Sequence, residues 1–147
     1  MQPIKIVTIG KIKNHSLRTE INDLMKRLRR IELIELKEVK DSNTNKVKEK
    51  EFELLQPYVT SSSRKILLWE HGKTYSTQKF YDNIKKIEQE IVFIITGAFG
   101  PSEKLIQEVD LKLSLSEMTF THEQALYLLI EQIYRLDQLE KGTNYTK

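Results

Sequence analysis

The chain has 147 residues, of which 39% are hydrophobic, with a formal net charge of +3 and a pI near 9.0. This length favours one domain spanning residues 1–147, and the balance of 24 basic against 21 acidic residues limits any nucleic-acid surface to a local patch. The absence of cysteine excludes disulfides, thiolate metal sites and a cysteine nucleophile, and three scattered histidines give no metal-site spacing.

The sequence has no run of about 18 apolar residues, the length that a membrane span needs. Its start also has no basic segment followed by a long apolar stretch. We therefore expect no membrane helix and no signal peptide. A cysteine-free chain of this kind fits the reducing cytoplasm, which is the location we predict.

Strand and helix patterns alternate in the first part of the chain. Alternating β-branched residues predict a strand over Ile4–Ile9, and apolar residues at helical spacing predict a helix over Leu17–Leu28. Ile31–Val39 alternates apolar and charged residues, which is typical of a strand with one wet face. A polar loop over 41–45 and a helix over Lys46–Leu55 follow.

The same alternation continues to the end of the chain. The predicted elements are a strand over Arg64–Glu70 closed by a turn at His71-Gly72-Lys73, a helix from a Ser76 cap through Ile87, a strand over Ile91–Ile95, a helix over Glu103–Val109 capped by Ser102, a strand and turn over Lys112–Phe120, and a helix over Glu123–Lys141. The pattern predicts an α/β fold with a mostly parallel sheet flanked by helices on both faces.

Ligands of open α/β sheets bind beyond the carboxyl ends of the strands. Two predicted loops lie at such ends, Thr96–Ser102 and Leu115–His122. Gly97 and Gly100 would let the backbone approach a ligand closely, although a gapped glycine pair on its own is more typical of a tight strand-to-helix turn. The run has neither the P-loop spacing nor the glycine fingerprint of dinucleotide-binding folds.

Several motifs together resemble one known family. They are residues 113–122 (LSLSEMTFTH), 129–135 (LIEQIYR), the closing 142–147 (GTNYTK), the opening 6–11 (IVTIGK) and the Gly72-Lys73 pair. The family is that of the SPOUT methyltransferases that methylate nitrogen 3 of a pseudouridine in large-subunit ribosomal RNA. The resemblance covers the whole chain, and its most specific motifs come after residue 90.

The resemblance implies a cofactor, a topology and partners. It implies a C-terminal trefoil knot, a rare exception to the rule against threaded chains. It implies S-adenosyl-L-methionine as cofactor, a homodimer whose site is completed by the second subunit, and ribosomal RNA within the ribosome as substrate, with no metal and no membrane. The cofactor contacts carried over from the family are Leu68, Thr96, Gly97, Gly100, Leu115, Ser116, Glu117, Met118, Thr119 and Phe120.

The catalytic residues carried over are Tyr145 and Lys147, with His122 as a further candidate for proton transfer. The family tail reads Tyr-His-Lys or Tyr-His-Arg, whereas this chain has Thr146 in place of the histidine. Thr96 stands where the family has a glycine, and Leu126 stands where many members have an arginine. The resemblance therefore implies a kept cofactor pocket and an altered catalytic tail.

Other functional readings stay open from the sequence alone. One is a catalytically impaired knotted paralogue that binds RNA or the ribosome, and another is an unrelated α/β nucleotide-binding protein. His122 also suits a turn or cap role, Glu131 a buried hydrogen bond, and Trp69 the core. The basic clusters, residues 26–30 and 46–50, suit either a solvated surface or contact with the RNA backbone.

Overall fold

The computed structural model describes residues 1–145 of the chain. In chain order the elements are β1 (Ile4–Ile9), α1 (His15–Arg27), β2 (Ile31–Leu36), α2 (Thr44–Leu55) with a short 3-10 turn (Gln56–Tyr58), β3 (Arg64–Thr74), α3 (Thr77–Ile84), β4 (Ile91–Ile95), α4 (Glu103–Glu108), β5 (Leu111–Ser114) and α5 (His122–Lys141).

The strands within residues 1–145 form one five-stranded sheet in the order β2-β1-β4-β3-β5, and every neighbouring pair is parallel. Ile4 lies opposite both Ile31 and Ile91, and Arg64 also lies opposite Ile91, so four strands begin at one level. The predicted parallel α/β fold is confirmed. All carboxyl ends of the strands consequently meet at one edge, which we call the carboxyl edge, and the opposite side is the amino edge.

Two hydrophobic cores sandwich the sheet. On one face α1, α3 and α5 pack against the sheet, and on the other face α2 and α4 do so. The central strand β4 contributes to both cores, and all five of its residues are buried. Burying one such Ile or Phe side chain stabilises the fold by about 1.5–3 kcal/mol. This double burial explains why Ile91–Ile95 is apolar at every position.

In the first half, α1 spans His15–Arg27 rather than Leu17–Leu28, and β2 and α2 also differ from the prediction. β2 ends at Leu36 rather than Val39, because its partner β1 ends at Ile9 and Gly10 N–H closes the ladder on Leu36 O at 2.7 Å. α2 begins at Thr44 rather than Lys46, because the Asn43 side chain accepts hydrogen bonds from the next turn and caps it. The segment between the two elements therefore covers residues 37–43.

The predicted turn at His71-Gly72-Lys73 is wrong, since β3 continues to Thr74 through a bulge. Leu68 and Lys73 both pair with Leu113, so the residues between them loop out of the ladder. A Cβ atom on Gly72 would lie 2.7–2.8 Å from backbone atoms of Lys112 and Leu113. Only glycine lets β5 approach the bulge so closely.

Among residues 1–145, no helix combines the length and the apolar character that crossing a membrane requires.

Candidate active site

A cavity of about 630 Å³ opens at the carboxyl edge of the sheet. Its walls come from the ends of β3 and β4, from the turn that follows β4 and from the segment that joins β5 to α5. The volume lies within the range of small-molecule sites. The position agrees with the general rule for open α/β sheets.

The turn after β4 is held by local hydrogen bonds. Gly100 N–H donates to Gly97 O at 3.1 Å, and Gly100 has φ +80°, a conformation that side chains rarely adopt. Ser102 then caps α4 by accepting a hydrogen bond from Leu105 N–H at 3.2 Å. The tight turn therefore exposes backbone groups of residues 96–101 to the cavity.

The segment after β5 has its own internal bonds. The Ser114 hydroxyl donates to Ser116 O at 2.7 Å, and Met118 N–H donates to Ser116 Oγ at 3.1 Å. Two apolar side chains on this segment stay in solvent, Met118 at 75% and Phe120 at 39% exposure. The segment thus carries an apolar rim on the mouth of the cavity.

The structure brings nearly all the predicted cofactor residues to this cavity. Those that line it are Leu68, Thr96, Gly97, Gly100, Leu115, Ser116, Met118, Thr119 and Phe120. Glu117 lies in the same segment but is exposed and does not line the cavity. Trp69 also lines the cavity and makes an edge-to-face contact with His71, with ring centroids 5.1 Å apart.

His122 occupies the first position of α5 and lines the cavity. The helix cap is the neighbouring Thr121, which forms a capping box with Gln124. His122 Nε2 is hydrogen-bonded to the hydroxyl of the buried Thr8 in β1. Burial lowers the pKa of His122, with Glu123 and other carboxylates opposing the shift, so the ring is neutral near pH 7.

The beginning of α5 is tied to the first loop of the chain. The Glu123 carboxylate accepts hydrogen bonds from Lys13 N–H and, at 2.9 Å, from Asn14 N–H. The segment 115–121 therefore runs from β5, at one side of the sheet, to β1 on the far side of β3 and β4. On its way it passes the turn after β4, and both line the same cavity.

Tyr145 lies away from the cavity, on the outer face of α5. Its hydroxyl donates to Glu131 Oε1 at 3.3 Å, and its ring lies edge-on to Tyr134 with centroids 4.8 Å apart. The Arg135 guanidinium lies 5.2 Å from the ring centroid and is paired with Glu131 at 2.9 Å. Lys147, the other predicted tail residue, lies outside the described residues.

Glu51 is a site residue that the sequence analysis missed. It projects from α2, is 3% exposed, and accepts a hydrogen bond from Gly97 N–H in the turn after β4. Burial raises the pKa of its carboxyl to about 7, against the opposing effects of the Gly97 N–H and Lys48. The sequence signal was its position midway between Val47 and Leu55 on the buried stripe of α2.

Other polar groups near the cavity give no metal site. Over the described range 1–145, no three His, Asp or Glu side chains are placed to hold a metal ion together. Lys48, Glu70 and Glu103 line the cavity as separate charges. The arrangement suits an organic ligand held by backbone groups and apolar walls.

Comparison with known proteins identifies one methyltransferase family. Residues 1–146 match the family model described as "Predicted SPOUT methyltransferase". The "Ribosomal RNA large subunit methyltransferase H" of Flavobacterium psychrophilum is 39% identical, with 97% of each chain covered. The protein of the same name from Dictyoglomus thermophilum is 35% identical, again with 97% of each chain covered.

A solved structure supports the fold independently. "The structure of a probable methylase family protein from Haemophilus influenzae Rd KW20" matches with a TM-score of 0.63 at 11% identity, over 99% of this chain and 71% of that chain. At that identity the likeness concerns the fold alone. The family match removes the alternative of an unrelated nucleotide-binding protein, and the chain belongs to the SPOUT methyltransferase family.

Proposed function

We propose that this chain transfers a methyl group from S-adenosyl-L-methionine to large-subunit ribosomal RNA, at nitrogen 3 of a pseudouridine. The observation that carries the proposal is the meeting of two turns, 96–101 and 115–121, around one cavity of about 630 Å³. Relatives that bear the name of a large-subunit ribosomal RNA methyltransferase match the chain over nearly its whole length. Ribosomal RNA as substrate supports a cytoplasmic location.

The cavity fits the proposed cofactor by its chemistry. Leu68, Ile95 and Leu115 supply apolar walls for a flat ring, and the turn after β4 presents backbone carbonyls and amides. The Gly97 N–H already donates to Glu51, so ligand contacts in that turn fall to its other backbone groups. Lys48 lines the rim, where its ammonium group suits a ligand carboxylate.

The cofactor supplies an electrophilic methyl group, and this chain must align the target nitrogen with it and accept a proton. His122 is the cavity residue suited to the proton, because its ring is neutral and Nε2 is held by Thr8, which leaves Nδ1 for exchange. Thr146 in the tail has no group that could act as a base near neutral pH.

Tyr145 is suited to donating a hydrogen bond rather than to accepting a proton. Burial and the neighbouring Glu131 carboxylate raise the pKa of its phenol, so the hydroxyl keeps its proton at neutral pH. Such a donor can orient the carbonyl oxygen of a pyrimidine base or stack on its ring. Lys147 would neutralise the imide anion or contact a phosphate, as the family resemblance implies.

We further propose a homodimer in which the tail of one copy completes the cavity of the other. Tyr145 is absent from the lining of the cavity in its own chain, although α5 connects the two. A second copy related by a two-fold axis would bring a second α5 and its tail within reach. The exposed Met118 and Phe120 on the rim offer apolar surface for that contact.

We also propose one domain over residues 1–147, with the segment 115–121 threaded as a trefoil knot. The passage of that segment from β5 to β1 along the ends of β3 and β4 supports the threading. The sharing of β4 between both hydrophobic cores supports a single cooperative unit. Force-extension of the chain, pulled at both ends, would show a knot as a contour length shorter than 147 residues allow.

The function is tested by two measurements on the full chain. Calorimetry should show micromolar binding of S-adenosyl-L-methionine. Tritiated methyl should pass to ribosomes from a strain that lacks this modification, with the label recovered at nitrogen 3 of a pseudouridine. Gly100→Trp should abolish binding. Gly100 lines the cavity and has open space beside it, so the indole ring of the new side chain would occupy the space that the cofactor needs.

Tyr145→Ala provides the matched control, because that residue lies off the cavity. It should lower methyl transfer at least tenfold while changing cofactor affinity less than twofold. Binding without any methyl transfer would instead identify a catalytically impaired paralogue that keeps its cofactor. Absence of binding by the unmodified chain would contradict the proposed function as a whole.

A further inference from the structure

Glu51 occupies a position where the helix pattern demands an apolar residue. Val47, Glu51 and Leu55 follow one another at four-residue intervals and form the buried stripe of α2. Val47 and Leu55 are 2% and 0% exposed, and Glu51 between them is 3% exposed. A carboxyl group thus lies in the middle of a helix face that packs against the sheet.

Burial of this carboxyl has no compensation from an ion pair. In the part of the chain that the structure describes, no basic side chain lies within ion-pairing distance of Glu51. The nearest positive influence within α2 is Lys48, one helical turn earlier, which lines the cavity. An unpaired buried carboxylate destabilises a fold, so stability does not explain Glu51.

Gly97 connects this carboxyl to the cavity. The Gly97 N–H donates to the Glu51 carboxyl, and a Cβ atom at Gly97 would collide with Glu51 Oε1. Gly97 itself lines the cavity, so only the thickness of one backbone turn separates the carboxyl group from a ligand. At such a separation in a poorly solvated site, a negative charge acts on any charge that enters the cavity.

We propose that Glu51 is a positioning residue that gives the cavity its preference for a cationic ligand, holding the turn at Gly97 and placing an unpaired negative charge behind it. The inference rests on the proposed function, in which that ligand carries a sulfonium. Loss of the methyl group converts the sulfonium into a neutral thioether. Glu51 then favours binding of the sulfonium compound over binding of the thioether. This preference promotes replacement of the thioether product by a new methyl donor.

Ionisation of Glu51 and binding of the cation are therefore linked. Its raised pKa, about 7, places the change of charge within the accessible pH range. The other charged or titratable groups that influence Glu51 or the cavity come from several elements. They are Glu38 after β2, Lys48 on α2, Glu70 and His71 on β3, Glu103 on α4 and His122 on α5.

The test compares S-adenosyl-L-methionine with S-adenosyl-L-homocysteine, which differ in the charge on sulfur. Calorimetry at pH 6, 7 and 8 is carried out on the full chain, on Glu51→Gln and on Glu53→Gln as the control. Glu53 lies on the same helix, is exposed and does not line the cavity, so its variant makes the same change in net charge outside the core. At pH 8, Glu51→Gln should lower affinity for the sulfonium compound about 5- to 10-fold and that for the thioether less than twofold.

The pH profile separates Glu51 from the other groups. In the unmodified chain, preference for the sulfonium over the thioether should fall as the pH drops from 8 to 6. Glu51→Gln should remove that part of the fall, and Glu53→Gln should keep it. Calorimetry near pH 7 in buffers of different ionisation enthalpy should also detect proton release on sulfonium binding, absent in Glu51→Gln.

Three outcomes would overturn the inference. Equal losses of affinity for both compounds in Glu51→Gln would show a structural role alone. A preference that is independent of pH in the unmodified chain would exclude the linkage, even where Glu51→Gln failed to fold. A chain that binds neither compound would contradict the proposed function as well, whereas the first two outcomes leave that function intact.

Discussion

The two edges of the sheet differ in whether a buried charged side chain has an ionic partner. At the amino edge Lys65 is 8% exposed and fully engaged, since its Nζ lies 2.9 Å from Thr60 O, 3.2 Å from Ser63 O and 3.2 Å from Asp110 Oδ2. At the carboxyl edge Glu51 is equally buried and takes part in no ion pair within residues 1–145. The amino edge is filled by contacts within the chain, whereas the carboxyl edge surrounds a cavity.

The difference separates residues that serve the fold from residues that serve a ligand. A buried charge with complete partners holds backbone segments together. A buried charge without an ionic partner lowers stability, and such groups concentrate where a ligand acts. The exposed apolar side chains of Met118 and Phe120 also lie at the carboxyl edge, where they line the cavity.

The largest expected effect is at Gly72, where the backbone of β5 packs directly against the bulge in β3. Gly72→Ala should lower the free energy of unfolding by about 3 kcal/mol, because the new Cβ meets the Lys112–Leu113 backbone and β5 must move. Urea denaturation measures the loss. Gly142→Ala, which has a positive φ but no atom within 4 Å, is the control and should lose about 1 kcal/mol. A loss at Gly72 no larger than the loss at Gly142 would show that β5 accommodates the new Cβ atom without cost.

A smaller effect is expected at the amino edge. Lys65→Met should lower the free energy of unfolding by about 2 kcal/mol, because it removes the ammonium group paired with Asp110 and leaves two carbonyl groups without their donor. Lys5→Met removes two weaker ion pairs on the same edge, with Glu32 at 3.9 Å and Glu90 at 3.8 Å. It should change the free energy of unfolding by less than about 0.5 kcal/mol. Neither variant should alter cofactor affinity in calorimetry. A tenfold change in the cofactor affinity of Lys65→Met would show that the amino edge also contributes to ligand binding.

The smallest effect has the opposite sign. The folded-state pKa of Glu51, about 7, lies above its ordinary 4.5, so the folded chain holds the proton more tightly than the unfolded chain. Stability from this group is complete below pH 4.5 and falls as the pH rises to about 7. Glu51→Gln should therefore raise the free energy of unfolding at pH 8 by roughly 1–2 kcal/mol and leave it unchanged at pH 4.

Thermal or urea unfolding of Glu51→Gln at both pH values measures this gain, with Glu53→Gln as the exposed control. A variant that is less stable than the parent chain at pH 8 would mean that the carboxylate stabilises the fold. Glu51 at the carboxyl edge would then stabilise the fold, as Lys65 does at the amino edge. A gain of equal size at both pH values would assign it to packing rather than to charge.

The sheet and the walls of the cavity could be predicted from the sequence because they follow from local pattern. The unbroken apolar run Ile91–Ile95 predicts a central strand, and parallel strands place the turns after them at one edge. The bulge in β3 escaped prediction, because His71-Gly72-Lys73 has the composition of a turn. Only pairing with β5, some forty residues later, keeps Lys73 and Thr74 in the strand.

Glu51 and Tyr145 show the second limit. Helical spacing places Glu51 on the buried stripe of α2, but its role becomes visible only when Gly97 is placed against it. Tyr145 was assigned to the target by resemblance, and the contacts with Tyr134 and Arg135 that hold its ring depend on how the tail folds back along α5. Both depend on tertiary contacts that residue spacing alone does not specify.

The attachment of α5 to the first loop has a consequence for synthesis. Glu123 bonds to Lys13 and Asn14, which lie about 110 positions earlier in the chain. A polypeptide emerging from the ribosome therefore contains β1 and α1 long before α5 has been synthesised. The ligand chamber can form only after α5 has been added, so a product that ends before His122 would lack one of its walls.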